Sequence, residues 1–76
     1  MANSSACFDY SKVVGRMAEM SITRAELAPK IGINTAYFGT RLLHGKPFTS
    51  DVILRCAQVL DIEAEDIGQY FFTLKP

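Results

Sequence analysis

Residues 23–46 read TRAELAPKIGINTAYFGTRLLHGK. Thr23 is a helix cap, because its hydroxyl can accept from backbone N–H groups that have no partner inside the helix. Glu26 stands three residues later and completes a capping box, Thr-x-x-Glu. Leu27, Ala28 and Ile31 then recur at helical spacing. Gly32 is placed to stop that helix, since glycine enters the left-handed conformation without a Cβ penalty. Asn34 caps a second helix, with Ile33 before it and Phe38 at the fourth helical position as an apolar staple. Leu42 continues the apolar face and Gly45 closes it. The stretch therefore encodes two short helices joined by a tight turn at Gly32, Ile33 and Asn34.

That is a helix-turn-helix arrangement. Its residues have mechanical reasons. Ala28 is small where the second helix crosses over it. Leu27, Ile31, Ile33, Phe38 and Leu42 pin the two helices at a fixed angle. The polar side of the second helix is left to project outward, and a DNA major groove is wide enough to admit one such helix.

The same grammar extends along the chain. Asp9 is expected to cap a first helix, with Phe8 and Val13 as the staple and Tyr10, Val13, Val14 and Met17 as its buried face. Thr49 caps a fourth, between Phe48 and Ile53, with Val52, Ile53, Cys56, Ala57 and Leu60 as its stripe. A fifth start falls at Glu63, between Ile62 and Ile67, although Glu is a poorer cap. Strand-like alternation is absent. The expected fold is all-α: a compact bundle of about five short helices over residues 8–76, preceded by a flexible tail over residues 1–7.

Composition limits the function. The 76 residues, 49% of them apolar, suffice for one small domain and little else. The chain lacks a GxSxG elbow, a GxxxxGK[ST] phosphate loop and any clustered His or carboxylate set, so no catalytic site, metal site or cofactor is expected. The start shows no signal-peptide pattern, and no apolar run approaches the ~20 residues of a membrane span. Cys7 and Cys56 share no metal-ligand spacing, and a reduced cytoplasmic setting is the simpler reading, with a disulfide left open. Eight basic residues balance eight acidic ones, but not evenly along the chain. Residues 10–55 carry seven basic side chains against three acidic, whereas residues 56–76 carry four acidic against one basic. A positive front could meet a polyanion while a negative rear faces away.

With these features in place the chain resembles the phage Cro/repressor-type, XRE-like helix-turn-helix family. The core of the likeness is LAPKIGINTAYF, and the flanks FDYSKVVGRM and DIEAEDIGQYFF are similar to small Cro-like regulators from phages of Gram-positive bacteria. The resemblance implies a DNA-binding face made residue by residue. Arg24 matches a position whose side chain meets a phosphate. Asn34, Thr35 and Ala36 match the exposed first turn of the recognition helix, and Tyr37 and Thr40 share its outward face. Arg41 and Lys46 flank it as phosphate partners.

Each residue also has a purely structural reading. Arg24 could be a solvated first-turn residue, Asn34 a cap and nothing more, and Tyr37 an edge-packing ring. Arg41 could lay its apolar stem over the core. His44 suits the negative end of a helix, and Cys56 suits the core.

Three features depart from the family pattern. Pro29 falls inside the first helix of the motif, where an ordinary interior position would cost about 3 kcal/mol. Ala36 and Gly39 leave the recognition helix poor in hydrogen-bonding groups, so readout would lean on Thr35, Thr40, Tyr37 and thymine methyl contacts. Zero net charge implies modest nonspecific affinity.

The resulting expectation is a sequence-specific repressor of a bacterial host's cytoplasm. It would occupy a double-stranded operator as a homodimer, joined through Tyr70, Phe71 and Phe72 or through the region of the fourth and fifth helices. The competing expectation is a modulator, or antirepressor, that binds a phage repressor protein.

Overall fold

The structure, a computed structural model, describes residues 7–76. Among these residues five α-helices follow in order: α1 (Ser11–Glu19), α2 (Arg24–Lys30), α3 (Thr35–His44), α4 (Ser50–Val59) and α5 (Ile67–Phe71), with a 3-10 turn at Ala64–Asp66 leading into α5. This is the small all-α bundle that the caps and stripes encode. α2 packs most closely against α3 and also against α4, while α1 packs against α5.

Three starts form as their residues dictate. The Thr23 hydroxyl accepts from Glu26 N at 3.1 Å, and the Glu26 carboxylate accepts from Thr23 N at 2.8 Å. Asn34 accepts from Tyr37 N, and Thr49 from Val52 N. Glu63 precedes the 3-10 turn without a side-chain cap bond.

The first start is displaced. α1 begins at Ser11 with Tyr10 at the cap position, and the Asp9 carboxylate accepts instead from Ser11 N at 2.9 Å. Two tertiary bonds account for the shift. Asp9 N donates to Thr73 O at 2.7 Å, and the buried Tyr10 donates its hydroxyl to Lys46 O at 2.8 Å. Both residues are thereby held outside the helix.

The stops obey one rule that sequence reading recovered only where glycine marked it. At the ends of α1 to α4 stand Ser21 (φ 55°), Gly32 (φ 79°), Gly45 (φ 66°) and Asp61 (φ 55°), all left-handed. In each case the following residue donates its N–H back five residues: Ile22 to Met17, Ile33 to Ala28, Lys46 to Arg41 and Ile62 to Ala57. These are Schellman closures. Three of the joints share a composition, namely a left-handed residue, then isoleucine, then the next helix's cap residue: Ser21-Ile22-Thr23, Gly32-Ile33-Asn34 and Asp61-Ile62-Glu63. Each isoleucine leans on the core. It serves at once as the apolar contact of one helix's end and the staple of the next helix's start.

Four aromatic rings, Tyr10, Phe38, Phe48 and Phe71, sit among the aliphatic side chains of the core. Phe38 and Phe48 lie 5.7 Å apart by ring centroid, Phe48 and Tyr10 5.3 Å, and Tyr10 and Phe71 6.2 Å, in tilted and edge-on pairs. Such rings add area and pair energy that a chain of this size needs. No polar or charged residue is buried among the described residues. Val14, expected on the buried face of α1, is instead 51% exposed, because Tyr10, Val13 and Met17 already occupy the face toward the core.

Pro29 leaves α2 helical. It stands in the last turn, so only the Ala25 carbonyl loses an intrahelical donor, and Ala25 is exposed to water. The cost expected of an interior proline is thereby reduced.

Residues 7 and 8 meet residues 74 and 75. Phe8 bridges to Leu74, Lys75 N donates to Cys7 O, and Phe8 N donates to Gly45 O at 2.9 Å. Of the tail expected over residues 1–7, only Cys7 falls within the described residues, and it is held by that bond from Lys75. Among the described residues no helix is long and apolar enough to cross a membrane.

Candidate nucleic-acid interface

The α2–α3 elbow is fixed from several sides. Gly32 supplies the left-handed turn, and Arg55 of α4 lies against it. A Cβ on Gly32 would stand 2.8 Å from Arg55 Nη1, which also approaches Ile31 O at 3.5 Å. Asp51 holds the same guanidinium at 3.0 Å. At the far end of α3, Tyr10 grips Lys46 O and Phe8 N grips Gly45 O. Burial pushes the Tyr10 hydroxyl up to about 12, against the nearby positive charge of Arg41.

α3 turns about 100° per residue. Phe38 and Leu42 are buried, so Ala36 and Thr40 project on the side away from the core, and both are exposed. Thr35 and Gly39 run along the flank toward α2, and Tyr37 and Arg41 along the other. No acidic residue lies on α3. Glu26, the acid on α2, has its carboxylate occupied by Thr23 N and the Thr23 hydroxyl, which hold its pKa below the usual carboxylate value.

Of the eight residues implied by the resemblance, five lie on α3, Asn34 and Lys46 stand at its two ends, and Arg24 opens α2. Asn34 caps α3 through Tyr37 N. Thr35 and Ala36 form the exposed first turn, where free N–H groups and the helix dipole favour an anion. Tyr37 is 44% exposed, with the Arg41 guanidinium 4.7 Å from its ring centroid, a cation–π stack. Arg41 is half-buried and donates from Nη1 to Pro47 O at 2.8 Å, so its orientation is fixed while other N–H groups stay unspent. Lys46 is exposed just past the helix. Arg24 is exposed across α3 from Arg41. Two guanidinium groups thus bracket a ridge of short side chains.

Sequence reading missed two contributors to this geometry. Arg55 braces the turn from 24 residues away in the chain. Arg16 Nε donates to Leu60 O at 2.7 Å and ties α1 to the end of α4. Nothing in the local spacing of either arginine signals a long-range partner.

The remaining candidates are quieter. His44 is exposed in the last turn of α3. Cys7 and Cys56 are both free thiols, and burial pushes Cys56 up to about 12, so it is inert packing. Among the described residues no group of three or more His, Cys, Asp or Glu side chains is placed to hold a metal ion.

The expected dimer tail divides. Phe71 is only 1% exposed and belongs to the chain's own core, and Tyr70 is half-buried near Lys12. Phe72 remains 54% exposed, edge-on to Phe8 at 5.9 Å. No curated protein matches the chain. Residues 6–74 match the family described as Protein of unknown function (DUF739), and the chain belongs to that family.

Proposed function

We propose that this chain is a sequence-specific DNA-binding regulator, a Cro-like repressor that occupies an operator. The observation that carries the reading is the exposed ridge of α3, fixed by the elbow at Gly32 and bracketed by Arg24 and Arg41. A ridge of Ala36 and Thr40 lets the helix backbone approach the groove floor closely, and two guanidinium groups flanking it match phosphates on either side of a major groove. Thr35, Thr40, Tyr37 and the Ala36 methyl would read base edges and thymine methyls, while Arg24, Arg41 and Lys46 would position the duplex.

One short helix touches too few base pairs for tight selection, so the regulator works as a homodimer. The exposed Phe72 and Leu74, beside Phe8, offer the apolar surface for the second copy. It acts in the cytoplasm of a bacterial host.

A second reading rests on a different surface. Val14, Met17, Ala18, Ile22, Leu42 and Leu43 line an open groove of about 540 Å³ beside Arg24. Leu43 is 70% exposed there. An apolar side chain of a repressor protein would fit this groove if the chain acts as an antirepressor.

Fluorescence anisotropy with duplex DNA from upstream of the chain's own gene separates the two. Operator binding predicts salt-sensitive affinity at least 10³-fold above a scrambled duplex. It also predicts that Arg41→Ala weakens all duplexes alike and Thr35→Ala weakens the operator selectively. Equal affinity for operator and scrambled DNA, with saturable binding of the purified repressor lost in Leu43→Asp, supports the second reading instead.

A further inference from the structure

Gly39 lies in the middle of α3, where glycine costs about 1 kcal/mol relative to alanine. Its φ is not left-handed, so no turn requires it. What occupies the space a side chain would take is Arg24. A Cβ on Gly39 would meet Arg24 Nη1 at 3.3 Å, Cδ at 3.7 Å and Cζ at 3.9 Å. Arg24 therefore lies flat along the notch that Gly39 leaves in the flank of the helix.

The other arginines behave differently. Arg16 spends its guanidinium on Leu60 O and Glu19, Arg55 on Asp51 and Ile31 O, and Arg41 on Pro47 O. The Arg24 guanidinium makes no hydrogen bond or ion pair with another described residue. Among the described residues it is seated by contact alone, with its donors unspent. Arginine loses substantial rotamer freedom when it is fixed in a complex, and a seat formed beforehand reduces that loss.

We infer that Gly39 is a positioning residue, a notch that seats the Arg24 guanidinium beside the recognition helix as a preformed phosphate clamp. The inference rests on the DNA-binding reading and adds to it a role for the one residue of α3 that has no side chain. It also explains why a helix meant to read DNA carries its least favourable non-proline residue at this place.

Gly39→Met, an unbranched helix former, fills the notch and evicts Arg24. Gly39→Ala narrows the notch only slightly and serves as the well-folded second variant. Two measurements apply to the full chain. In the free protein, the ¹⁵Nε–¹H heteronuclear NOE of Arg24 is high in the wild type and low in Gly39→Met, with Gly39→Ala between them. With the upstream duplex as probe, Arg24→Ala and Gly39→Met each lower the slope of log K against log[salt] by about 0.9, the loss of one phosphate contact. That is about eightfold less weakening per tenfold rise in salt. The double variant shows no further drop.

Full additivity in the double variant overturns the inference while leaving the DNA reading intact. So does a Gly39→Met slope equal to wild type, or an Arg24 side chain already mobile in the wild-type protein. A wild-type chain that binds no duplex, with Arg24 still ordered, defeats the DNA reading and leaves only the structural seat.

Discussion

Replacing Gly32 by alanine tests the elbow that aims α3. Gly32 has φ 79°, a conformation that costs an L-residue roughly 1–2 kcal/mol. The new Cβ would stand 2.8 Å from Arg55 Nη1, so that side chain must withdraw. It gives up a long bond to Ile31 O and loosens an exposed ion pair with Asp51, worth up to about 1 kcal/mol together. The expected loss is about 2 kcal/mol. An unfolding entropy of roughly 160 cal/mol/K for a chain of 76 residues converts this to a fall in Tm of about 12 °C. Thermal unfolding followed by circular dichroism at 222 nm reads it. Gly15→Ala is the internal control: nothing lies within 4 Å of its Cβ position and φ is ordinary, so it should raise Tm by roughly 3–6 °C. In the Arg55→Ala background the steric part of the Gly32→Ala cost vanishes and the backbone part persists. A Gly32→Ala chain melting within about 3 °C of wild type refutes the reasoning.

Three other outcomes follow from the geometry. Tyr10→Phe removes the bond to Lys46 O and should cost about 1 kcal/mol, read as a Tm about 6 °C lower. Cys56 and Tyr10 have folded pKa values raised to about 12 from 9.0 and 10.0, so their stabilisation is complete below the unfolded values and is lost as pH rises toward 12. Urea unfolding should show stability level to pH 9, then falling by at most about 1.4 kcal/mol per pH unit for each group, Cys56 first and Tyr10 joining above pH 10. Ser21→Gly relieves a left-handed serine at the end of α1 and should raise stability by about 0.5–1 kcal/mol in the same urea assay.

Local chemistry made most of the fold legible. Thr23 with Glu26, Asn34 and Thr49 cap helices because the bonds they make span three residues and need no distant partner. Distant partners changed the remainder. Asp9 reads as a cap, yet Thr73 O takes its N–H and the core takes Tyr10, so α1 starts later. Phe71 and Phe72 are identical in sequence terms, and only the path of α5 over the core buries one and exposes the other. Ser21 and Asp61 act as glycines do because the isoleucine after each is bound into the core. On the candidate face, Arg24, Tyr37, Thr40 and Arg41 were pointed to by the family resemblance, and three of them are exposed and one half-buried on or beside α3. The meaning of Gly39 was not legible, since it depends on an arginine fifteen positions earlier crossing the helix at that point.

The most direct test of DNA recognition by α3 is a ¹H–¹⁵N correlation map of the full chain titrated with the upstream duplex. Recognition through α3 predicts shifts concentrated on residues 34–41, with Arg24 and Lys46 at the margins, while the acidic stretch at residues 61–66 stays unmoved. Shifts confined to the groove around Val14 and Leu43, or spread evenly over basic residues for any duplex offered, would contradict it.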